Sequence, residues 1–459
     1  MRLIRKPLTL AVGVPALAAV LILSACSSSS TGSAAQSSAP GAASSGASSP
    51  AAPAGGTGAK VDLNFWSWAP NVDKVVAMWN AKNPDIQVTV NKQDGGDPAV
   101  TKLLTAIKAG SGAPDLMQAE YQKIPTLVSA DALTDISKNI DPALKNDFPE
   151  SVWNSVTLGS QAVYAVPQDS GPMEFYYRAD IFAKYGLTPP TTWDEYAAAA
   201  EKLHAADPKL YLGTFSASDA GWFTGLTQQA GASWWGIDGD SWSVAIDSAA
   251  SQKVASYWGG LVAKGVIDNK PMYTPAWNAA LNNGTQVGWV SAIWAPSVLV
   301  GNAASTAGKW KMAPLPQWDP AKPATGNWGG SATAVTSQSK HVAEAAKFAA
   351  WINSDPTATQ ALASVMGVYP ASTSAQKTAL TKPPAFFSNQ ADFYAVASKI
   401  AATAAPFTYG PNVNVAFSAY NDQFGKAAQA KSQQGFLTAL TAMQAATVAD
   451  MKNTGFSVK

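Results

Sequence analysis

Acids, amides and tryptophans recur in this chain directly after segments that read as strands. Ser67-Trp68 follows one such segment, Glu120-Tyr121 a second and Asp169 a third. The run SASDAGWFTGLTQQAGASWW then holds Asp219, Trp222, Gln228, Trp234 and Trp235. Trp294 follows the apolar run 286–293, Trp328 precedes Gly329-Gly330, and Tyr409 and Asn412 sit in a Gly-Pro loop. A carboxylate or amide grips hydroxyls, and a carboxylate stripped of water must find such partners. Tryptophan adds a large apolar plate with one polar N–H. Together they suit a flat ligand fringed with hydroxyls. The chain has 17 tryptophans against 13% charged residues, and the alternative use of such a surplus is to fill a large core.

Catalytic chemistry has less to work with. Two histidines, His204 and His341, cannot build a histidine-rich metal site, and neither has an acidic partner in a familiar catalytic arrangement. One cysteine, Cys26, allows neither a disulfide framework nor a thiolate metal site. There is no Gly-rich phosphate loop and no Gly-x-Ser-x-Gly elbow. Glu120 and Asp169 are the acid pair to suspect of glycoside cleavage, which needs carboxyls roughly 5–10 Å apart. No catalytic residue, metal or cofactor is therefore expected.

A basic start (Arg2, Arg5, Lys6) and an apolar stretch from Leu8 to Leu23 form a signal-peptide layout. The stretch is shorter than the roughly 20 residues a spanning helix needs. Removing residues 1–25 leaves 28 basic against 30 acidic residues, a balance of −2. That gives no electrostatic case for nucleic acid. From about Ser27 to Ala59 the chain is Ser, Ala, Gly and Pro, the composition of a disordered tether. About 400 residues remain, enough for two domains.

The folded body opens on Val61, Leu63 and Phe65, which alternate with polar residues as a strand does. Val72, Val75, Val76 and Trp79 then form one helical stripe, stopped by Asn83-Pro84. Ile86, Val88 and Val90 alternate again. Val100, Leu103, Leu104 and Ile107 make a second stripe before Gly110, and Pro114-Asp115-Leu116-Met117 opens a third strand. This β-α-β-α-β order implies a parallel sheet with helices on its faces, and ligands of such sheets sit at the strands' carboxyl ends. Residues 161–167 read as a further strand, and Thr192 with Glu195 as a capping box opening a helix. Trp153, Trp193, Trp258 and Trp351 fall at helix-like positions that suit a core.

Two resemblances add to this reading. Leu23-Ser24-Ala25-Cys26 resembles the lipobox of bacterial lipoproteins, in which the cysteine takes a diacylglyceryl group and the chain is cut before it. This implies a signal peptide over 1–25, a lipidated tether over 26–59, and attachment to the extracytoplasmic face of the bacterial cell membrane. The segment YAVPQDSGPMEFYYRADIFAKYGLTPPTTWDEY, with AIKAGSGAPDLM, NNGTQVGWVSAIWAP and SKHVAEAAKFAAWINSD followed by MGVYPAS, resembles the extracellular solute-binding proteins of ABC importers, in particular the family-1 group that binds sugars.

The family resemblance implies an α/β, two-lobed periplasmic-binding-protein-like fold of type II. A ligand cleft would lie between the lobes, with a hinge crossed several times. Crossings are expected near Asp169–Pro172, after Trp328-Gly329-Gly330 and near Tyr369-Pro370. One lobe would then combine 60–170 with 330–370, the other 171–329 with 371–459. Ligand contacts would come from Trp68 (rather than Trp66), Glu120, Tyr121, Asp169, Asp219, Trp222, Trp234, Trp294, Trp328, Gly329, Tyr409 and Asn412. Trp294 matches a tryptophan that the family uses as a stacking floor. The implied partners are a mono- or oligosaccharide, a membrane permease and, through the lipid, the membrane. The protein would act as a monomer. A peptide-binding lipoprotein, an adhesin and a cell-surface glycosidase are the competing readings.

Overall fold

The computed structural model describes residues 60–239 and 241–459. The expected signal peptide, the lipid-bearing Cys26 and the tether lie outside the described residues.

Alternating and striped segments fold as their patterns require. Strands β1 (Val61–Ser67), β2 (Ile86–Lys92) and β3 (Leu116–Glu120) are parallel, in the order β2-β1-β3. The helix Val72–Lys82 between the first two buries Val72, Val75, Val76 and Trp79. Helix Asp97–Ala109 follows β2 and buries Val100 and Leu103, and Gly110 ends it with φ near +73°. A non-glycine residue rarely takes that conformation. At Trp193–Ala206 the Thr192 hydroxyl accepts the Glu195 N–H at 3.1 Å. The Glu195 carboxylate reaches back to the Thr191 N–H, one residue before the position a capping box uses.

The segment after residue 160 differs from its sequence reading. The strand expected over 161–167 begins at Ala165 and does not stop at Pro167. One strand, β4 (Ala165–Arg178), runs straight through Asp169–Pro172. It pairs antiparallel with β9 (Asn327–Val335), from Ala165 opposite Ala334 to Pro172 opposite Asn327. Its second half pairs with β7 (Gly288–Ala292) and β8 (Trp310–Pro314). Because β9 also pairs with β3, one seven-stranded sheet runs through the whole body, with β5 (Trp235–Asp238) and β6 (Ser241–Val244) as a separate hairpin.

Two hydrophobic cores flank the middle of that sheet. The first is built from buried residues between Leu63 and Val166 and between Ala332 and Ala371. The second runs from Met173 to Trp328 and resumes from Tyr369 to Phe456. Most of the tryptophans go to the second core. Trp193, Trp222, Trp234, Trp235, Trp258, Trp277, Trp289 and Trp310 are all fully buried there. Truncating a buried tryptophan to alanine costs about 3–5 kcal/mol, so the surplus is chiefly structural. No helix among the described residues is long and apolar enough to cross a membrane.

The chain passes between the cores along β4, along β9 and at Tyr369–Ala371. In the last, Ser170 donates to the Tyr369 carbonyl at 3.2 Å and Ala371 to that of Gln168 at 3.0 Å. Register shifts interrupt the β4–β9 pairing at Pro167/Asp169 and Ser170/Pro172. Glycine is required here for space. A Cβ on Gly171 would drive into the Trp328 carbonyl, and one on Gly330 (φ +98°) would lie 2.7 Å from the Tyr121 ring. Gly330→Ala is therefore expected to lower the melting temperature, whereas Ala substitution at the open Gly301 leaves it nearly unchanged; differential scanning calorimetry checks both.

Glu174 is fully buried on β4. One carboxyl oxygen accepts the Tyr176 hydroxyl at 2.5 Å and the other has no partner. Burial pushes its pKa up to about 8, and the Tyr176 bond only partly opposes this. The folded state thus holds a proton that the unfolded chain releases near the ordinary 4.5. The resulting stability is complete below about pH 4.5 and is lost as pH rises through about 8. Glu174→Gln removes that loss. Its unfolding free energy minus that of the parent should rise by on the order of a few kcal/mol between pH 4.5 and 9, measured by urea titration at each pH.

Candidate functional site

A cavity of about 430 Å³ lies where the two cores face each other. From the first side it is bordered by Asp97, Glu120, Gln122 and Lys123. Glu120 ends β3, at the carboxyl edge of the parallel strands, and Asp97 opens the helix Asp97–Ala109. From the second side come Ser218, Asp219 and Gly221, at the start of the helix Ala220–Gln229, and Phe417, Ser418 and Asn421 on the helix Val413–Gln429. Trp328 and Gly329 close the bottom.

The polar groups are held from behind. Asp219 caps its helix by accepting the Trp222 N–H at 3.1 Å, and the Trp328 indole N–H also donates to it. Burial still raises its pKa to about 6 against those bonds. Burial likewise raises the Glu120 carboxyl. The charges of Asp97 and Asp219 add to the rise, while Lys123 and a Gln122 hydrogen bond oppose it. The buried Lys123 ammonium lies 2.5 Å from the Asp97 carboxylate and 2.6 Å from the Asn414 side-chain oxygen. It thereby ties the first side to the second. Thr126 does the same through the Pro411 carbonyl at 2.8 Å.

Aromatic rings stand under and beside this cavity. The Trp294 and Trp328 rings meet edge to face at 4.6 Å, and the Trp294 N–H donates to the Trp328 carbonyl at 2.8 Å. Trp294 is only partly buried and supports Gly329, whose added Cβ would stand 3.4 Å from its indole nitrogen. Tyr273 is 43% exposed, with its ring 6.4 Å from that of Trp328. Its φ of +65° is unusual for a bulky residue.

Of the residues singled out from sequence, the structure brings Glu120, Asp219, Trp328 and Gly329 to the cavity wall. Tyr409 reaches toward Glu120, whose charge, after burial, raises its phenol. Its ring also borders a second hollow of about 260 Å³ with Trp242 and Phe407. Trp68 is half-buried beside Gly95, on the loop that leads to Asp97, while Trp66 lies in the core. Asp169 accepts both the backbone N–H and the hydroxyl of Ser331, at 2.6 and 2.7 Å, and burial lifts its pKa to about 6. Its carboxylate therefore braces the crossing strands.

Four of the residues singled out from sequence lie away from the cavity wall. Trp222 is fully buried, its N–H taken by the Val290 carbonyl at 3.0 Å, because its helix packs every residue from Phe223 to Gln229 inward. Trp234 is equally buried and donates to Ser251 at 3.1 Å. Asn412 turns to the carboxyl-terminal helix, donating to the Thr447 carbonyl and the Asp450 carboxylate. Tyr121 spends its hydroxyl on the Asp169 carbonyl at 2.8 Å and its ring against Gly330. The sequence reading also missed Asp97, Lys123, Tyr273 and the Phe417–Asn421 pair. Gly95-Gly96-Asp97-Pro98 was a usable helix-start signal. Nothing local marks Tyr273.

A larger hollow of about 710 Å³ lies along Ser170, Pro172, Asn327, Tyr369 and Tyr394. No carboxylate borders it among the described residues. The smaller cavity, where acids and an aromatic floor converge, is the candidate site.

Known proteins share the sequence pattern and the fold of this chain. Residues 66–359 match the model of the family described as bacterial extracellular solute-binding protein. An arabinooligosaccharide-binding protein of Bacillus subtilis (strain 168) is 24% identical over 338 residues, covering 70% of this chain and 75% of its own. The galacto-N-biose-/lacto-N-biose I-binding protein of an ABC transporter from Bifidobacterium longum, solved with lacto-N-biose, superposes with a TM-score of 0.78 at 30% identity, over 88% of this chain and 100% of its own. An ABC-transporter-associated binding protein from B. animalis subsp. lactis Bl-04, solved with β-1,6-galactobiose, gives 0.76 at 26% identity, over 87% and 100%. With a family match spanning more than half its length, and a two-lobed fold shared with these structures, this chain belongs to the bacterial extracellular solute-binding proteins.

Proposed function

We propose that this protein captures a sugar or oligosaccharide between its lobes and delivers it unaltered to an ABC-transporter permease. One observation carries the reading: carboxylates from both sides converge on a cavity floored by Trp328, with Trp294 and Tyr273 beside it. Carboxylates and amides can accept the hydroxyls while aromatic faces cover ring C–H. The saccharide-binding relatives support the ligand class. The lobes we assign are 60–170 with 330–370 and 171–329 with 371–459, the partition that the two cores suggest. A ligand bound to one lobe draws the other over it, and closure is driven by the difference in affinity between closed and open states.

The lipid on Cys26, removal of 1–25, the tether to residue 59, action as a monomer and the lack of enzymatic activity belong to the same proposal. The tether would hold the body near its permease at high effective concentration. Tryptic peptide mass spectrometry of membrane fractions, with and without Cys26→Ser, tests the anchor. A diacylglyceryl-modified peptide starting at residue 26 is expected in the parent alone.

A thermal-shift panel of saccharides and peptides tests the ligand class, because a ligand that binds only the folded state raises the melting temperature. Saccharides are expected to shift it; shifts with peptides alone would overturn the reading. Chromatography of the incubated sugars should recover them intact, and smaller products would favour a glycosidase. Trp294→Ala and Tyr273→Ala should each weaken the best saccharide by about 1–3 kcal/mol, the scale of a lost stacking plate, as measured by titration calorimetry on variants that retain the parent melting temperature without ligand.

A further inference from the structure

The charge lining the cleft narrows the ligand class, on the premise that the site holds a saccharide. Three carboxylates border the cavity, Asp97, Glu120 and Asp219. Lys123 is the one basic side chain among the described lining residues. Its ammonium is committed to Asp97 at 2.5 Å and to Asn414 at 2.6 Å. It also acts on Glu120 at longer range, so one positive charge is set against three negative ones.

Backbone amides do not restore the balance. Two helices start at the cavity, Asp97–Ala109 and Ala220–Gln229. Their amino ends are where an anionic ligand would find free N–H groups. Each end already carries a carboxylate, Asp97 in the first turn of one and Asp219 as the cap of the other. Nor do the acids form a cation site, since among the described residues no group of three or more could hold a metal ion.

We propose that this cleft accepts neutral and amine-bearing saccharides and rejects those carrying a carboxylate or phosphate, with Glu120 and Asp219 as the groups that decide. A ligand hydroxyl or ammonium can donate to either acid. An anionic substituent would bring a further negative charge into about 430 Å³ already bordered by three carboxylates, and like charges at such short range repel. The expected discrimination is about tenfold or more at low salt.

The experiment is titration calorimetry on the full-length protein. The neutral probes are β-1,6-galactobiose, lacto-N-biose and an arabino-oligosaccharide, and the amine probe is the glucosamine disaccharide. For the tightest neutral probe, the analogues oxidised to a carboxylate or phosphorylated at a primary hydroxyl are titrated beside it. The acidic analogues should bind at least about tenfold more weakly, with the gap shrinking in high salt. Asp219→Asn and Glu120→Gln should each narrow the gap, and so should Asp97→Asn, which frees Lys123 to meet an anion. An acidic analogue that binds as tightly as its parent overturns the selection while saccharide capture stands. A gap that responds to neither salt nor any of the three variants is steric and overturns it as well. If no saccharide binds, the functional reading falls and this selection falls with it.

Discussion

Two extended strands, paired with each other from Ala165 opposite Ala334 to Pro172 opposite Asn327, lead the chain out of one hydrophobic core and into the other. Every feature of the cleft is referred to that β4–β9 pair. β3 pairs with β9, and this fixes Glu120 opposite Ser331. β7 pairs with β4, which sets the Trp289 and Trp294 region against the same axis. The strands cannot separate without exposing a ladder of backbone groups, which is costly in a buried setting. They can bend where the register shifts. Asp169 sits at one of those shifts and is bound to Ser331 twice across the pair, so a carboxylate stiffens the place where the ladder is weakest.

The cavity has a division of labour between side chains that support and side chains that remain open. Trp222, Trp258 and Trp289 make the second core rigid through edge-to-face contacts. Trp328 faces the cavity but is fixed from two sides, giving its N–H to Asp219 and its carbonyl to Trp294. Rigid aromatic floors lose little side-chain entropy on binding, which favours affinity. The acids are treated differently. Asp219 is committed as a helix cap, while Glu120 ends β3, and both border the cavity. Their raised pKa values reflect charges kept in a poorly hydrated space.

Much of the fold was legible because period-two and helical stripes are local. Val61–Phe65, Val72–Trp79 and Val100–Leu103 encode their own burial, and the three parallel strands follow. The acids Glu120 and Asp219 were legible for a related reason, since they lie at a strand end and a helix cap. The tryptophans were legible only in part: Trp328 reaches the cavity wall and Trp193 and Trp258 the core, as their positions implied. Trp222 and Trp294 both follow polar or apolar runs that look alike in one dimension. Their difference in burial depends on Val290 and Gly329, which are distant in sequence from one or the other. Tyr273 was illegible for a backbone reason. Its left-handed conformation goes with ring contacts to Trp277, Trp289 and Trp328, and no neighbouring residue signals it. The long reach of β4 was obscured by Asp169–Pro172, whose Gly and Pro suggest a break where the strand only shifts register.

The return of β9 and of residues 345–371 to the first core has a further consequence. Ribosomes deliver a chain from its amino end, and roughly four-fifths of this one must emerge before Ala371 can join the partners it packs against. Until β9 emerges, β3 lacks the neighbour that covers its open edge. A chain assembled in this order cannot complete either core until most of it has been made.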